Sequence, residues 1–116
     1  TAADFGVVAY RCEGMNGAWT DTGKIAAIGF RVRHGITMHG MSFNVNVNLA
    51  GFESIVPCGL KHQSVSSLQR ILGSACPSVP EVGRKMIRHF SDVFGRPVRV
   101  FETSDQIPDV LKSHLR

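Results

Sequence analysis

The sequence is short of cysteine, has no long apolar run, and concentrates charge of neither sign. Its 116 residues include only three cysteines, Cys12, Cys58 and Cys76. An odd number without short regular spacing argues against a disulfide framework and against a cysteine-based zinc site, and it fits a reducing compartment. No apolar stretch approaches the roughly 20 residues that a membrane-spanning helix needs, so no membrane association is expected. No positively charged start leads into an apolar segment, so no signal peptide is expected either. The chain opens at Thr1 rather than methionine, as a fragment or a processed product would. Formal net charge is +4 with a pI near 9.3, which suits an acidic partner. The positive residues are scattered, with Arg31 and Arg33 on one segment and Arg84, Lys85 and Arg88 on another. They form no basic stripe interleaved with aromatics, so nucleic acid is not an expected partner.

What remains is a chain of one domain at most, with the 43% hydrophobic content of a globular protein. Phe5 to Tyr10 is strand-like, and a glycine-punctuated loop follows. From Lys24, "KIAAIGFRVRHG" starts apolar on both parities and then alternates, with Ile28, Phe30 and Val32 opposite Arg31 and Arg33. His34-Gly35 suits a turn. The following stretch alternates Met41, Phe43, Val45, Val47 and Leu49 against Ser42, Asn44, Asn46 and Asn48. Residues 24–49 therefore predict a β-hairpin. "SVSSLQRILG" predicts a short helix ending at Gly73. A second helix has Ser78 and Glu81 at capping-box spacing, Pro80 in its first turn and Gly95 at its end. Val82, Met86, Phe90, Val93 and Phe94 form its expected inward stripe, a packing feature. "RPVRVFE" predicts a last short strand. The expected class is α+β. No internal repeat is present.

One stretch stands apart from ordinary packing. "SIVPCGL" sets Cys58 between Pro57 and Gly59. Cysteine is a strong nucleophile only as thiolate, and an unperturbed pKa of about 8.5 leaves little thiolate at neutral pH. Gly59 lets backbone N–H groups turn toward a developing oxyanion. The same features describe a packed cysteine beside a turn, which is the commoner case when nothing else is considered.

The wider pattern resembles the lipoyl(octanoyl) transferases. Its parts are Lys24-Ile25-Ala26-Ala27-Ile28-Gly29, then His39-Gly40, Asn44-Val45 and Pro57-Cys58-Gly59-Leu60, agreeing in order and separation. The resemblance runs from about Gly17 to Leu68, and more loosely to Gly95. It implies that Cys58 is the acyl-accepting nucleophile and that Lys24 is its partner, lowering the thiol's pKa; a partly desolvated Lys24 is then a candidate general base. It also implies that Ala27, Ile28, Gly29, Gly40, Met41 and Ser42 line the acyl pocket. Small Ala27 and Gly29 would let an alkyl chain lie along the strand, with Met41 as an adaptable wall. His39 falls by parity on the apolar side with Met41 and Phe43, unless Gly40 introduces a bulge. A packed histidine is the expectation there, with a catalytic base as the alternative.

The implied activity moves an octanoyl group from octanoyl-acyl carrier protein to a lysine of lipoyl domains, those of 2-oxoacid dehydrogenases and the glycine cleavage H protein. No cofactor is implied beyond the phosphopantetheine arm that arrives with the donor, and no metal. His34, His62, His89 and His114 lack ligand-like spacing, and Cys12 and Cys76 are bystanders. The implied fold is that of the biotin and lipoate ligase catalytic domains, a mixed sheet flanked by helices. The implied location is the bacterial cytoplasm or a mitochondrial or plastid matrix.

Transferases of this family are nearly twice as long as this chain. Their first half carries an Arg-Gly-Gly segment and a Thr-x-His-Gly-Pro-Gly-Gln motif, and nothing here matches either. Residues 1–116 therefore read as the C-terminal portion of such a domain, to be completed by the missing N-terminal half or by a second chain. Two other readings remain. One is a non-catalytic remnant that binds acyl carrier or lipoyl domains; the other is a cysteine thioesterase with water as acceptor.

Overall fold

The computed structural model describes residues 1–53 and 64–109. It divides into two compact units, residues 1–86 and 87–116. The first unit holds a three-stranded antiparallel sheet of β1 (Ala18–Thr20), β2 (Gly23–Arg33) and β3 (Ile36–Phe43), in that spatial order. It also contains two short helices, α1 (Ala50–Glu53) and α2 (Leu68–Leu72), and the start of α3 (Val79–Phe94). The class is α+β, as the sequence predicts.

The β2–β3 hairpin turns at His34-Gly35, where both residues have positive φ (50° and 78°). That is the backbone of a two-residue turn whose twist matches the flanking strands. Arg33 pairs with Ile36 directly across it. The hairpin is shorter than 24–49, because β3 ends at Phe43. Beyond that point the Asn44 N–H still donates to the Ile25 carbonyl, while the Asn44 and Val45 carbonyls accept the N–H groups of Leu68 and Gln69. Val45 still enters the core, while Val47 is exposed.

Other expectations are corrected. Phe5 to Tyr10 is not a strand. Ala2–Phe5 form a 3₁₀ turn closed by Gly6 at φ 74°, and only Tyr10 pairs, as a single bridge to Trp19. The predicted helix from Ser64 begins only at Leu68, because Ser64–Ser66 are bound to β2 and Ser67 caps the helix. The Ser67 hydroxyl oxygen accepts the Arg70 N–H at 3.1 Å. α3 behaves as predicted at both ends. The Glu81 carboxylate accepts the Ser78 N–H at 2.8 Å and the Ser78 hydroxyl, and Gly95 follows the helix with φ 60°.

The core gathers Ala2, Val7, Ile25, Ala26, Val45, Leu68 and Val82. Ile25 and Leu68 are wholly buried, each worth about 1.5–3 kcal/mol of transfer free energy. Beneath them lies a polar join: Thr22 Oγ1 meets Ser66 Oγ at 2.6 Å, and Asn44 Nδ2 donates to the Ser66 carbonyl at 3.0 Å. Ser66 can be buried because these partners satisfy it, and Ser67 because its hydroxyl and carbonyl oxygens accept the Arg70 and Ile71 N–H groups.

In the second unit, Phe90 and Phe94 stack with centroids 4.5 Å apart. Phe90, Val93 and Phe94 are exposed, so the predicted inward stripe is buried only at Val82 and half-buried at Met86. Residues 96–102 form no strand, and no sheet partner for them exists among the described residues.

Candidate functional site

The site is built from β2 and its two neighbours. At Lys24 the strand is held from both sides. Its cross-strand partner on β1 is Trp19. On the other side the Lys24 N–H donates to the Ser64 carbonyl and the Lys24 carbonyl accepts the Ser66 N–H, both at 2.9 Å. Lys24 and Val65 thus form a parallel bridge. This join needs a glycine at 23, where φ is 130° and an added Cβ would strike the Ser64 backbone. Ser64 is the first described residue after the segment that carries Cys58.

The Lys24 side chain lies against the indole of Trp19, with Nζ 5.2 Å from a ring centroid. Trp19 is only 6% exposed, and its indole N–H is buried without an acceptor among the described residues.

Farther along β2, Ala27, Ile28 and Gly29 pair with Ser42, Met41 and Gly40 of β3. Gly29 and Gly40 lie directly opposite each other, so that rung carries no side chain on either strand. These six residues and His39 line one open cavity of about 430 Å³. The pocket residues implied by the sequence are therefore neighbours around one concavity. His39 is not packed in the core. It is exposed, has φ 65° and takes part in the cavity wall. The ladder stays in register there, with His39 opposite Phe30, so His39 shares the face of Met41 as parity predicts, but that face is exposed among the described residues.

Cys58, with Pro57, Gly59 and Leu60, lies outside the described residues. Cys12 and Cys76 are free thiols. Burial pushes the Cys76 thiol above its ordinary value, and its Sγ points to the carbonyls of Val45 and Pro77 at 3.7 and 3.5 Å. Among the described residues no three His, Cys, Asp or Glu side chains gather as a metal site. No helix among them is long and apolar enough to cross a membrane.

Comparison with known proteins agrees with this architecture. Residues 1–91 match the lipoyl protein ligase A/B catalytic domain. The chain belongs to that family. An octanoyltransferase of Pelobacter propionicus is 49% identical over 89 residues, covering 76% of this chain and 42% of the relative. One from Caldicellulosiruptor saccharolyticus is 41% identical over 110 residues, 94% of this chain and 46% of the relative. One from Geobacter metallireducens is 42% identical over 107 residues, 92% of this chain and 50% of the relative. The chain thus spans about half the length of these relatives of the lipoyl ligase A/B family.

Sequence reasoning missed Trp19, against which the Lys24 side chain lies. The available signal was the chain's one tryptophan, two residues after a glycine and five before the lysine, across a tight Asp21-Thr22 turn.

Proposed function

We propose that this chain carries the nucleophile-bearing half of an octanoyltransferase acting in protein lipoylation. The observation that carries the proposal is one cavity lined by Ala27, Ile28, Gly29, His39, Gly40, Met41 and Ser42, three residues along β2 from Lys24. Its apolar walls and side-chain-free Gly29–Gly40 rung suit a medium-length alkyl chain.

In the proposed reaction the Cys58 thiolate attacks the thioester carbonyl of octanoyl-acyl carrier protein. The carbon–sulfur bond to the phosphopantetheine arm breaks, and that thiol leaves with the donor. The second step forms an amide. A lysine amine of a lipoyl domain, ordinarily protonated with a pKa of about 10.4, attacks the Cys58 thioester after losing a proton. Lys24 supports the thiolate before acylation. The departing phosphopantetheine thiolate takes its proton from the Lys24 ammonium, and with the sulfur acylated and its charge gone the neutral Lys24 amine accepts the proton lost by the attacking amine. Cys58 leaves as thiolate and the cycle closes. No resident cofactor takes part, and the chemistry is placed in the bacterial cytoplasm or an organelle matrix.

The exposed surface of the hairpin supports a further part of the proposal. Ile28, Phe30, Val32 and Met41 share one face and are 44%, 49%, 66% and 43% exposed. An apolar face of that kind is unusual on a free surface. Its proposed cover is the complementary half of the domain, in the same polypeptide or in a second one.

The test is transfer. The chain, alone and with a complementary octanoyltransferase half, is mixed with octanoyl-acyl carrier protein and a lipoyl domain, and the domain is weighed by mass spectrometry. Octanoylation that disappears in Cys58→Ser supports the reading. Release of free octanoate without a lipoyl domain would replace it with a thioesterase. Binding without turnover in both formats would make the chain a non-catalytic remnant.

A further inference from the structure

We infer that Trp19 and Gly17 are positioning residues that hold the Lys24 side chain in one place on the site. The inference rests on the role proposed for Lys24 and extends it to residues outside the recognised motifs.

Trp19 and Lys24 are direct cross-strand partners, so their side chains stand on the same face of the β1–β2 ladder. The register changes beside them. Ala18 pairs with Ala26 and Trp19 with Lys24, which leaves Ile25 as the extra residue of a bulge. A bulge bends its strand and re-aims the neighbouring side chains. Here it sends Ile25 into the core, while Lys24 is left half-buried with Nζ 5.2 Å from the indole centroid. An ammonium at that distance is attracted by the ring's negative face.

The platform itself cannot swing away. Trp19 exchanges two backbone hydrogen bonds of 2.9 Å with Tyr10, and its side chain is buried. Its indole N–H has no acceptor among the described residues, an arrangement that folded proteins seldom keep without a reason. Its ring face meets the Lys24 ammonium.

Gly17 supplies the other wall. Its φ is 133°, and an added Cβ would lie 2.5 Å from Lys24 Cε and 3.3 Å from Lys24 Nζ, besides striking the Ala26 carbonyl oxygen. The lysine stem thus passes through space that any other residue at 17 would fill. A bare backbone on one side and a fixed indole on the other restrict an otherwise flexible side chain. In a site where one lysine must first face a thiolate and then receive a proton, that restriction sets where its charge sits.

Two readouts test this on the whole chain. The first is read on the parent protein. In the folded protein the Lys24 methylene protons should resonate upfield of those of the other lysines because of the indole ring current, with assignment by Lys24→Met. Shifts at ordinary lysine positions would overturn the inference. The second is the pH profile of Cys58 alkylation, followed by peptide mass spectrometry. Lys24→Met should move its midpoint upward, Trp19→Leu should move it part of the way, and Trp19→Phe should lie closer to the parent. If Lys24→Met shifts the profile and Trp19→Leu does not, the positioning role fails while the proposed function stands. If Lys24→Met itself shifts nothing, the lysine–cysteine pairing fails, whatever the ring current shows. The Trp19→Phe profile keeps the test decisive if Trp19→Leu does not fold.

Discussion

Gly29 and Gly40 face each other across the β2–β3 ladder, leaving one rung of the sheet without side chains in the wall of the candidate cavity. Neither glycine has a positive φ, and among the described residues a Cβ on either would meet nothing within 4 Å. Neither backbone strain nor a neighbour among the described residues requires glycine at these positions, and the proposed acyl pocket would use the space. Gly40→Val is expected to fold with stability close to the parent. Its acylation by an octanoyl donor should fall about 10–100-fold, the rate equivalent of roughly 1–3 kcal/mol of overpacking, while an acetyl donor is affected less. Equal losses for both donors would show that the rung does not hold the alkyl chain.

Gly23 makes the opposite case. Its φ of 130° and the Ser64 backbone beside it leave no place for a methyl group. Gly23→Ala should destabilise the chain by on the order of 1–3 kcal/mol through backbone strain and through loss of the Lys24–Ser64 join. Urea unfolding measures the loss. An unchanged midpoint would mean that the join contributes nothing to the fold.

Leu68 is completely buried in the cluster with Ile25 and Val45. Leu68→Ala should cost about 2–5 kcal/mol, combining lost transfer energy with a residual cavity. A Leu68→Met exchange, which keeps the volume, should cost less than about 1.5 kcal/mol. Equilibrium denaturation of the pair distinguishes packing from a general intolerance of substitution.

Glu81 gives a pH dependence with a defined sign. Its carboxyl is held below the ordinary value by hydrogen bonds from the side chain and backbone of Ser78, with Arg84 adding to the effect. The folded state therefore favours the charged form. Its contribution to the start of α3 is present above the unfolded carboxyl's titration and is lost as pH falls through the lower, folded value. The Glu81 side-chain carboxyl carbon should titrate below free glutamate by NMR. Glu81→Gln should remove that part of the acid sensitivity. Titration at or above the ordinary glutamate value would contradict the capping interaction.

Much of this organisation was legible where local chemistry decides it. The His34-Gly35 turn and the Ser78, Glu81 and Gly95 boundaries of α3 depend on neighbours in sequence, and the structure keeps them. Other elements depend on distant partners. β1 is three residues long and exists because Trp19 and Thr20 pair with Lys24 and Gly23. β3 stops at Phe43 because the next carbonyls are claimed by Leu68 and Gln69. Residues 96–102 have strand-like composition, but composition alone supplies no partner strand. The cavity residues were readable as two short motifs of a resemblance, whereas Trp19 was not. Its contact with Lys24 follows from strand pairing and a bulge at Ile25, which no local pattern announces.

The most direct measurement is the intact mass of the chain after mixing with octanoyl-acyl carrier protein, with the complementary half supplied in parallel. The account predicts one hydroxylamine-labile octanoyl adduct, mapped to Cys58, absent in Cys58→Ser and slowed in Lys24→Met. An unmodified Cys58 in the completed assembly, or an adduct that survives in Cys58→Ser, would contradict it.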